Sequence, residues 1–239
     1  MKPSNILHSL GLVALMLYTT ARAEFLLDMD LSAIQPAVNP YGLKSQTPEP
    51  IIDPRDALLK SEGACSIGMS GESAIGHMIF EGETYYVTGT AYQTATQCAE
   101  NHRRLLPGER KPKALPDGGV CELFLYDTQI RLVARHKVAL PDIGGGSWCN
   151  GSEALGRARK DMNALLYSLH YYPVNMPAAK RPEDIGKGWH YSTYLIRLVK
   201  NQDGSVHFVQ DDSCLGNPNS YITIAEARKV LANCPAEPH

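Results

Sequence analysis

The sequence lacks the short motifs by which many enzymes and cofactor-binding proteins are identified. It contains no P-loop, no G-x-G-x-x-G, no H-E-x-x-H and no EF-hand loop. The stretch Gly68-Met-Ser-Gly-Glu72 resembles a nucleophile elbow only until its last position, where Glu replaces the closing Gly, so it indicates a turn. The motifs therefore assign no catalytic residue, no metal and no cofactor.

The chain also lacks a strong charge of either sign. Its 239 residues carry a formal net charge of −2, which argues against nucleic-acid binding through bulk positive charge. No apolar run outside the extreme N-terminus is long enough to span a membrane. With 44% hydrophobic and 20% charged residues, the composition is that of an ordinary globular protein.

The first 23 residues have the pattern of a secretory signal peptide. Lys2 provides the positive start, residues 6–18 are apolar, and Ala21-Arg-Ala23 is an A-x-A cleavage signal. The apolar run is short for the alternative, an N-terminal membrane helix. We expect cleavage after Ala23, a mature chain that starts at Glu24, and a periplasmic or secreted location.

The cysteine pattern supports the same compartment. All six cysteines follow the predicted cleavage site, and none forms a C-x-x-C, which disfavours zinc and thioredoxin-like sites. Six cysteines allow 15 pairings, and nearest-neighbour pairing is preferred because each pair then falls within one structural unit. The expected disulfides are Cys65–Cys98, Cys121–Cys149 and Cys214–Cys234.

Proline separates an N-terminal arm from the rest of the chain. Residues 24–53 contain four prolines, which restrict φ and remove backbone donors, so an extended arm is expected, either packed along the domain or loose. Asp53-Pro54 is typical of a helix start, and Gly63 of its end. We expect residues 54–239 to form a single domain.

Two strand-like runs and a helix recur along this domain. In the first unit, residues 74–80 and 84–90 flank the hairpin signal Glu81-Gly-Glu83. Thr94 opens a capping box, and the helix that follows is expected to end at Pro107.

The second unit has strand patterns over residues 121–126 and 130–138. Asn150 and Ser152 are candidate caps for a helix, because apolar residues then recur at three- and four-residue spacing as far as Leu169. In the third unit, residues 191–200 and 206–210 predict another hairpin.

A second capping box, Thr223-Ile-Ala-Glu226, begins the last helix. Together the three units predict an α+β fold: one antiparallel sheet of about six strands built from three β-hairpin–helix units, with the helices packed on one face and disulfides fastening them.

Two groups of basic residues are candidate binding residues. If the first helix ends near the second hairpin, they merge into a positive patch that attracts an acidic partner; separate solvated faces are the alternative. The candidate residues are Arg103, Arg104, Arg110, Lys111, Arg131 and Arg135.

Aromatic residues concentrate around residues 167–194. Trp189 is a candidate contact residue because Trp and Tyr are frequent interface anchors. Core packing accounts for at least half of these aromatic residues.

Three functional hypotheses follow. The first is an exported binding or inhibitor protein, for example an immunity protein that neutralises a toxic enzyme acting in the periplasm. The second is a secreted hydrolase in which His136 or His207 meets Asp211 or Asp212 in three dimensions. The third is a structural component of an envelope assembly, in which the arm adds a strand to a neighbour.

Overall fold

A computed structural model describes residues 24–26, 54–66, 75–102, 119–143, 145–159, 162–174 and 188–234. The strands in these ranges are Glu24–Leu26 (β1), Cys65–Ser66 (β2), Ile75–Phe80 (β3), Glu83–Gln93 (β4), Val120–Asp127 (β5), Leu132–Lys137 (β6), Ser147–Arg157 (β7), Ala164–Pro173 (β8), His190–Lys200 (β9) and Val206–Gln210 (β10). The helices are Pro54–Ser61 (α1), Ala95–His102 (α2) and Ile224–Leu231 (α3).

The first sheet is antiparallel and has the order β1-β3-β4-β5-β6, with β2 beside the end of β4. Glu81 and Gly82 turn the chain between β3 and β4, and both have positive φ, 50° and 82°. Such a turn matches the twist of the two strands it connects. The predicted first hairpin is therefore confirmed.

The strand β1 belongs to the arm expected from the proline pattern. It pairs with β3 of its own chain, with Glu24 opposite Ile79. These three residues of the arm are thus packed along the domain. The predicted signal peptide (residues 1–23) and residues 27–53 lie outside the described residues.

The second sheet is also antiparallel and has the order β10-β9-β8-β7. The hairpin of β9 and β10 turns at residues 201–205, where Gly204 has a φ of 85°. This is the third predicted hairpin. The two long neighbours β7 and β8 form a hairpin as well, with bulges on the β7 side.

The two sheets face each other across the main core. Val87, Leu123 and Leu125 come from the first sheet, and Tyr167 and Ile196 come from the second; all five are fully buried. The disulfide between Cys121 in β5 and Cys149 in β7 joins the sheets directly, with its Cα atoms 5.3 Å apart. Burial of these inner faces is the main apolar contribution to stability.

Helices cover the two outer faces. Leu59 of α1 packs with Tyr92, Phe124 and Tyr126 on the outside of the first sheet. Ala227 and Leu231 of α3 pack with Leu166 and Leu195 on the outside of the second. The layers are therefore helix, sheet, sheet and helix.

This arrangement corrects the predicted fold class. The expectation of one six-stranded sheet with helices on one face is wrong, because the strands divide between two facing sheets and the fold is mostly β. The antiparallel pairing and the three disulfides are as expected.

The predicted helix between Asn150 and Leu169 is also wrong, because this segment forms the β7–β8 hairpin. The strand β8 is buried on both sides: Leu165, Tyr167 and Leu169 face the main core, and Leu166 faces α3. A strand buried on both faces is apolar at nearly every position and shows no alternation. Its apolar residues can therefore match a helical spacing by coincidence.

The predicted starts of the other three helices are confirmed, and the end expected at Pro107 lies outside the described residues. Thr223 caps α3: its hydroxyl accepts from the Glu226 amide at 3.2 Å, and the Glu226 carboxylate accepts from the Thr223 amide at 3.1 Å. The Thr94 amide donates to the Gln97 side chain at 2.8 Å at the start of α2. No helix within the described ranges is long and apolar enough to cross a membrane.

Candidate functional site

The structure describes only two of the six candidate residues of the predicted basic patch, Arg131 and Arg135. Arg103, Arg104, Arg110 and Lys111 lie outside the described residues. Arg131 follows the turn after β5, is 72% exposed, and forms an ion pair with Asp127 at 2.7 Å. Of the two described candidates, Arg131 therefore matches the expectation of an exposed basic side chain more closely than Arg135, which is 27% exposed.

Arg135 occupies a different environment from the one expected. It lies in β6 on the outside of the first sheet, where its guanidinium donates two hydrogen bonds to Glu122, both at 2.9 Å. It also binds both carboxylate oxygens of Glu62, just beyond α1, at 2.5 and 3.2 Å. The same group lies 5.3 Å from the centre of the Phe124 ring.

The electrostatics of this cluster explain its geometry. Glu122 is only 2% exposed, and its carboxylate is compensated by Arg135 and by the Tyr92 hydroxyl, which donates to it at 2.6 Å. Hydrogen bonding to Arg135 lowers the pKa of Glu62. Burial and the Glu122 carboxylate raise the pKa of Tyr92, and the two carboxylates raise the pKa of Arg135.

We therefore interpret Arg135 as a structural tie between α1 and the first sheet. Its five donors are largely committed within the protein, so it is not a free positive charge for a partner. A role for Arg135 as a surface binding residue stays a prediction, and the structure adds its structural role.

Of the histidines and aspartates in the hydrolase hypothesis, His136 and Asp212 share Gln210 as a neighbour and are not hydrogen-bonded to each other. His136 is half-buried, with its ring centre 6.3 Å from that of Phe208, and burial lowers its pKa. Gln210 interacts with His136 and donates to both carboxylate oxygens of Asp212, at 3.0 and 3.1 Å. An amide thus lies between the imidazole and the carboxylate.

The remaining polar groups of this region have other partners. Asp211 forms an ion pair with Arg197 at 2.6 Å and accepts from the Ser213 hydroxyl at 2.5 Å. Asn217 donates to Asp212 at 3.0 Å and to the Ala139 carbonyl at 2.9 Å. The network fastens the segment after β10 to the end of β6.

A more distinctive group lies on the outside of the second sheet, beyond the area that α3 covers. His170 in β8 is paired across the sheet with Gly151 in β7 and Tyr191 in β9. The bulges of β7 bring Asn150 and Glu153 to the same imidazole. We define the His170 site as Asn150, Glu153, His170, Trp189 and Tyr191.

Both ring nitrogens of His170 have partners. The amide nitrogen of Asn150 lies 2.7 Å from Nε2 and donates to it. The other nitrogen, Nδ1, therefore carries a proton and donates it to the Glu153 carboxylate.

Aromatic rings surround the imidazole. Trp189 stacks on it, with ring centres 4.7 Å apart and planes 14° apart, and Tyr191 lies tilted at 5.7 Å. Gly151 lies against the edge of the His170 ring, where a Cβ atom would clash. Only 11% of the His170 side chain is exposed, whereas 43% of the Glu153 side chain is exposed.

Sequence reasoning singled out Trp189 and missed the rest of this site. Asn150 was interpreted as a helix cap, and a helix would not have brought residues 150 and 170 together. Core packing was expected to account for at least half of the aromatic residues around 167–194. Tyr167, Tyr171 and Tyr194 are indeed buried in the core. The strand-favouring residues Tyr167, Tyr171 and Tyr172 are a weak signal for a strand in this segment.

Metal chemistry has no candidate in the described part of the chain, where no three His, Cys, Asp or Glu residues are grouped to hold an ion. Comparison with protein-family models, curated proteins and solved structures gives no match for this chain.

Proposed function

We propose that this protein is exported and binds a protein partner as an inhibitor, for example as an immunity protein against a toxic enzyme acting in the periplasm. The observation that carries this proposal is the His170 site. Its imidazole is hydrogen-bonded at both nitrogens, to Asn150 and Glu153, so it is fixed in place. Such a group is suited to recognition.

The three disulfides support an oxidising compartment. They fasten β2 to α2, join the two sheets, and tie the segment after β10 to the end of α3. Disulfides persist in exported proteins and are rare in the cytosol. A rigid scaffold also lowers the entropic cost of holding a binding surface in one conformation.

The hydrolase and envelope-assembly hypotheses receive less support. The carboxylates of Asp211 and Asp212 bind Arg197, Ser213, Gln210 and Asn217, and neither forms a hydrogen bond with a histidine of the described ranges. The arm contributes β1 to its own sheet, so Glu24–Leu26 are already paired with β3 and are not available to add a strand to a neighbour.

The test is recovery and reconstitution of the complex. The tagged chain is produced with its own leader in its source cells, and bound proteins are separated by size-exclusion chromatography with light scattering. We expect one partner in fixed stoichiometry, and the purified chain should suppress the activity of that partner.

The opposite result is equally specific. A chain that stays alone, and that turns over a hydrolase substrate in a reaction abolished by His136→Ala, overturns the binding proposal. The variant must unfold cooperatively near the wild-type temperature for this comparison. His190→Ala serves as the matched control, because His190 is an exposed histidine in β9 that the hydrolase hypothesis does not use.

A further inference from the structure

Glu153 in β7 is a partly exposed carboxylate, with 43% of its side chain exposed. In the described residues it binds His170 and forms no ion pair with a lysine or arginine. Its hydrogen bond to His170 fixes its position, and the bond from Asn150 fixes the imidazole in turn. The site therefore presents a fixed negative charge at the surface.

The aromatic rings next to this charge favour the same kind of ligand. Trp189 and Tyr191 contact the imidazole that holds Glu153. The faces of aromatic rings attract cations, Trp most strongly. A carboxylate and a Trp ring against one imidazole thus favour a positively charged group over a neutral or anionic one.

The protein contains an internal example of this combination. On the first sheet, the carboxylate of Glu122 and the ring of Phe124 are both contacted by the guanidinium of Arg135. There a carboxylate and an aromatic ring hold one arginine between them. The His170 site has the carboxylate and the rings, and no described residue supplies the cation.

We propose that Glu153 and Trp189 form a binding site for a lysine or arginine side chain of the protein partner. This inference rests on the proposed function for its partner, and on the His170 site alone for its chemistry. His170 and Asn150 act as positioning residues that hold the carboxylate in place. Arginine is the better fit, because its guanidinium both stacks on aromatic rings and binds carboxylates.

The chemistry is tested first without the partner. The probes are the blocked tripeptides acetyl-Gly-Arg-Gly-amide, acetyl-Gly-Lys-Gly-amide and acetyl-Gly-Gln-Gly-amide, titrated into the full mature chain. The readout is the indole N–H resonance of Trp189, assigned with Trp189→Phe. We expect saturable shifts with the two cationic peptides and none with the Gln peptide.

The variants identify the residue responsible. We expect Glu153→Gln to weaken binding of the Arg peptide about tenfold, equivalent to about 1.4 kcal/mol. Glu83→Gln is the matched control, because Glu83 is also an exposed strand carboxylate, in β4 on the other sheet, and should change nothing. Equal shifts with the Arg and Gln peptides, or unchanged affinity in Glu153→Gln, would overturn the inference.

The partner separates this inference from the proposed function. If a stoichiometric partner binds Glu153→Gln as tightly as the wild type, the inference fails and the binding function stands. If no partner is recovered while the Arg peptide still binds at Glu153, the proposed function fails and the cation site stands. Thermal unfolding of Glu153→Gln within about 2 °C of wild type excludes a folding defect as the cause.

Discussion

Replacing Arg135 with Met tests the interpretation of this residue as a structural tie. The change keeps much of the apolar stem and removes the cation from two carboxylates. Glu122 is 2% exposed and loses two hydrogen bonds of 2.9 Å, so its charge is left buried with no cation beside it among the described residues and only the Tyr92 hydroxyl donating to it. Breaking such a buried pair costs about 3–5 kcal/mol.

The second ion pair contributes much less. The Glu62 side chain is 39% exposed, and an exposed pair contributes about 0–1 kcal/mol. We therefore expect Arg135→Met to lower the free energy of unfolding by about 3–5 kcal/mol and Glu62→Gln by less than about 1 kcal/mol. Urea unfolding followed by Trp fluorescence, with the disulfides intact, measures both.

Two further variants make the result specific. Arg131→Met is the matched control, because Arg131 is 72% exposed and should cost at most about 1 kcal/mol. Adding Glu122→Leu to Arg135→Met removes the uncompensated charge and should recover most of the loss. If Arg135→Met costs no more than Arg131→Met, the reasoning is refuted.

Three other predictions concern stability. Burial lowers the pKa of His136, so His136 takes up a proton at a higher pH in the unfolded chain than in the folded one. The contribution of the neutral imidazole to stability is therefore full above about pH 6.5, the ordinary pKa of histidine, and declines below it. In His136→Gln the free energy of unfolding in urea should depend less on pH between about pH 6.5 and 5. Cys121 and Cys149 are 1% and 0% exposed, so mild reduction and alkylation followed by mass spectrometry should label them last; early labelling would contradict their burial. Thr223→Ala should lower the free energy of unfolding by about 1 kcal/mol, measured in urea, and no change would mean that the α3 cap contributes nothing.

Local signals allowed much of the fold to be predicted. Turns with glycine, the two capping-box sequences and the cysteine spacing each depend on a few neighbouring residues. Glu81-Gly82 marks a hairpin turn whatever the rest of the chain does, and Thr223 caps the helix that follows it. These features came out as expected.

The division into two sheets depends on distant contacts and was not predicted. The strand β8 is buried on both faces, so its apolar run does not alternate, and the spacing from Leu155 to Leu169 matched a helix. The His170 site was missed for the same reason. Its residues lie on or beside the three neighbouring strands β7, β8 and β9. Because the segment of β7 and β8 was predicted as a helix, two of these three strands were absent from the expected fold.

The most direct measurement is the intact mass of the protein purified without reductant from its own cells. We expect the mass of residues 24–239 less six hydrogen atoms, with no thiol available to alkylation after unfolding. A chain that retains Met1 and carries six free thiols would contradict export, the disulfide scaffold and the binding function proposed from them.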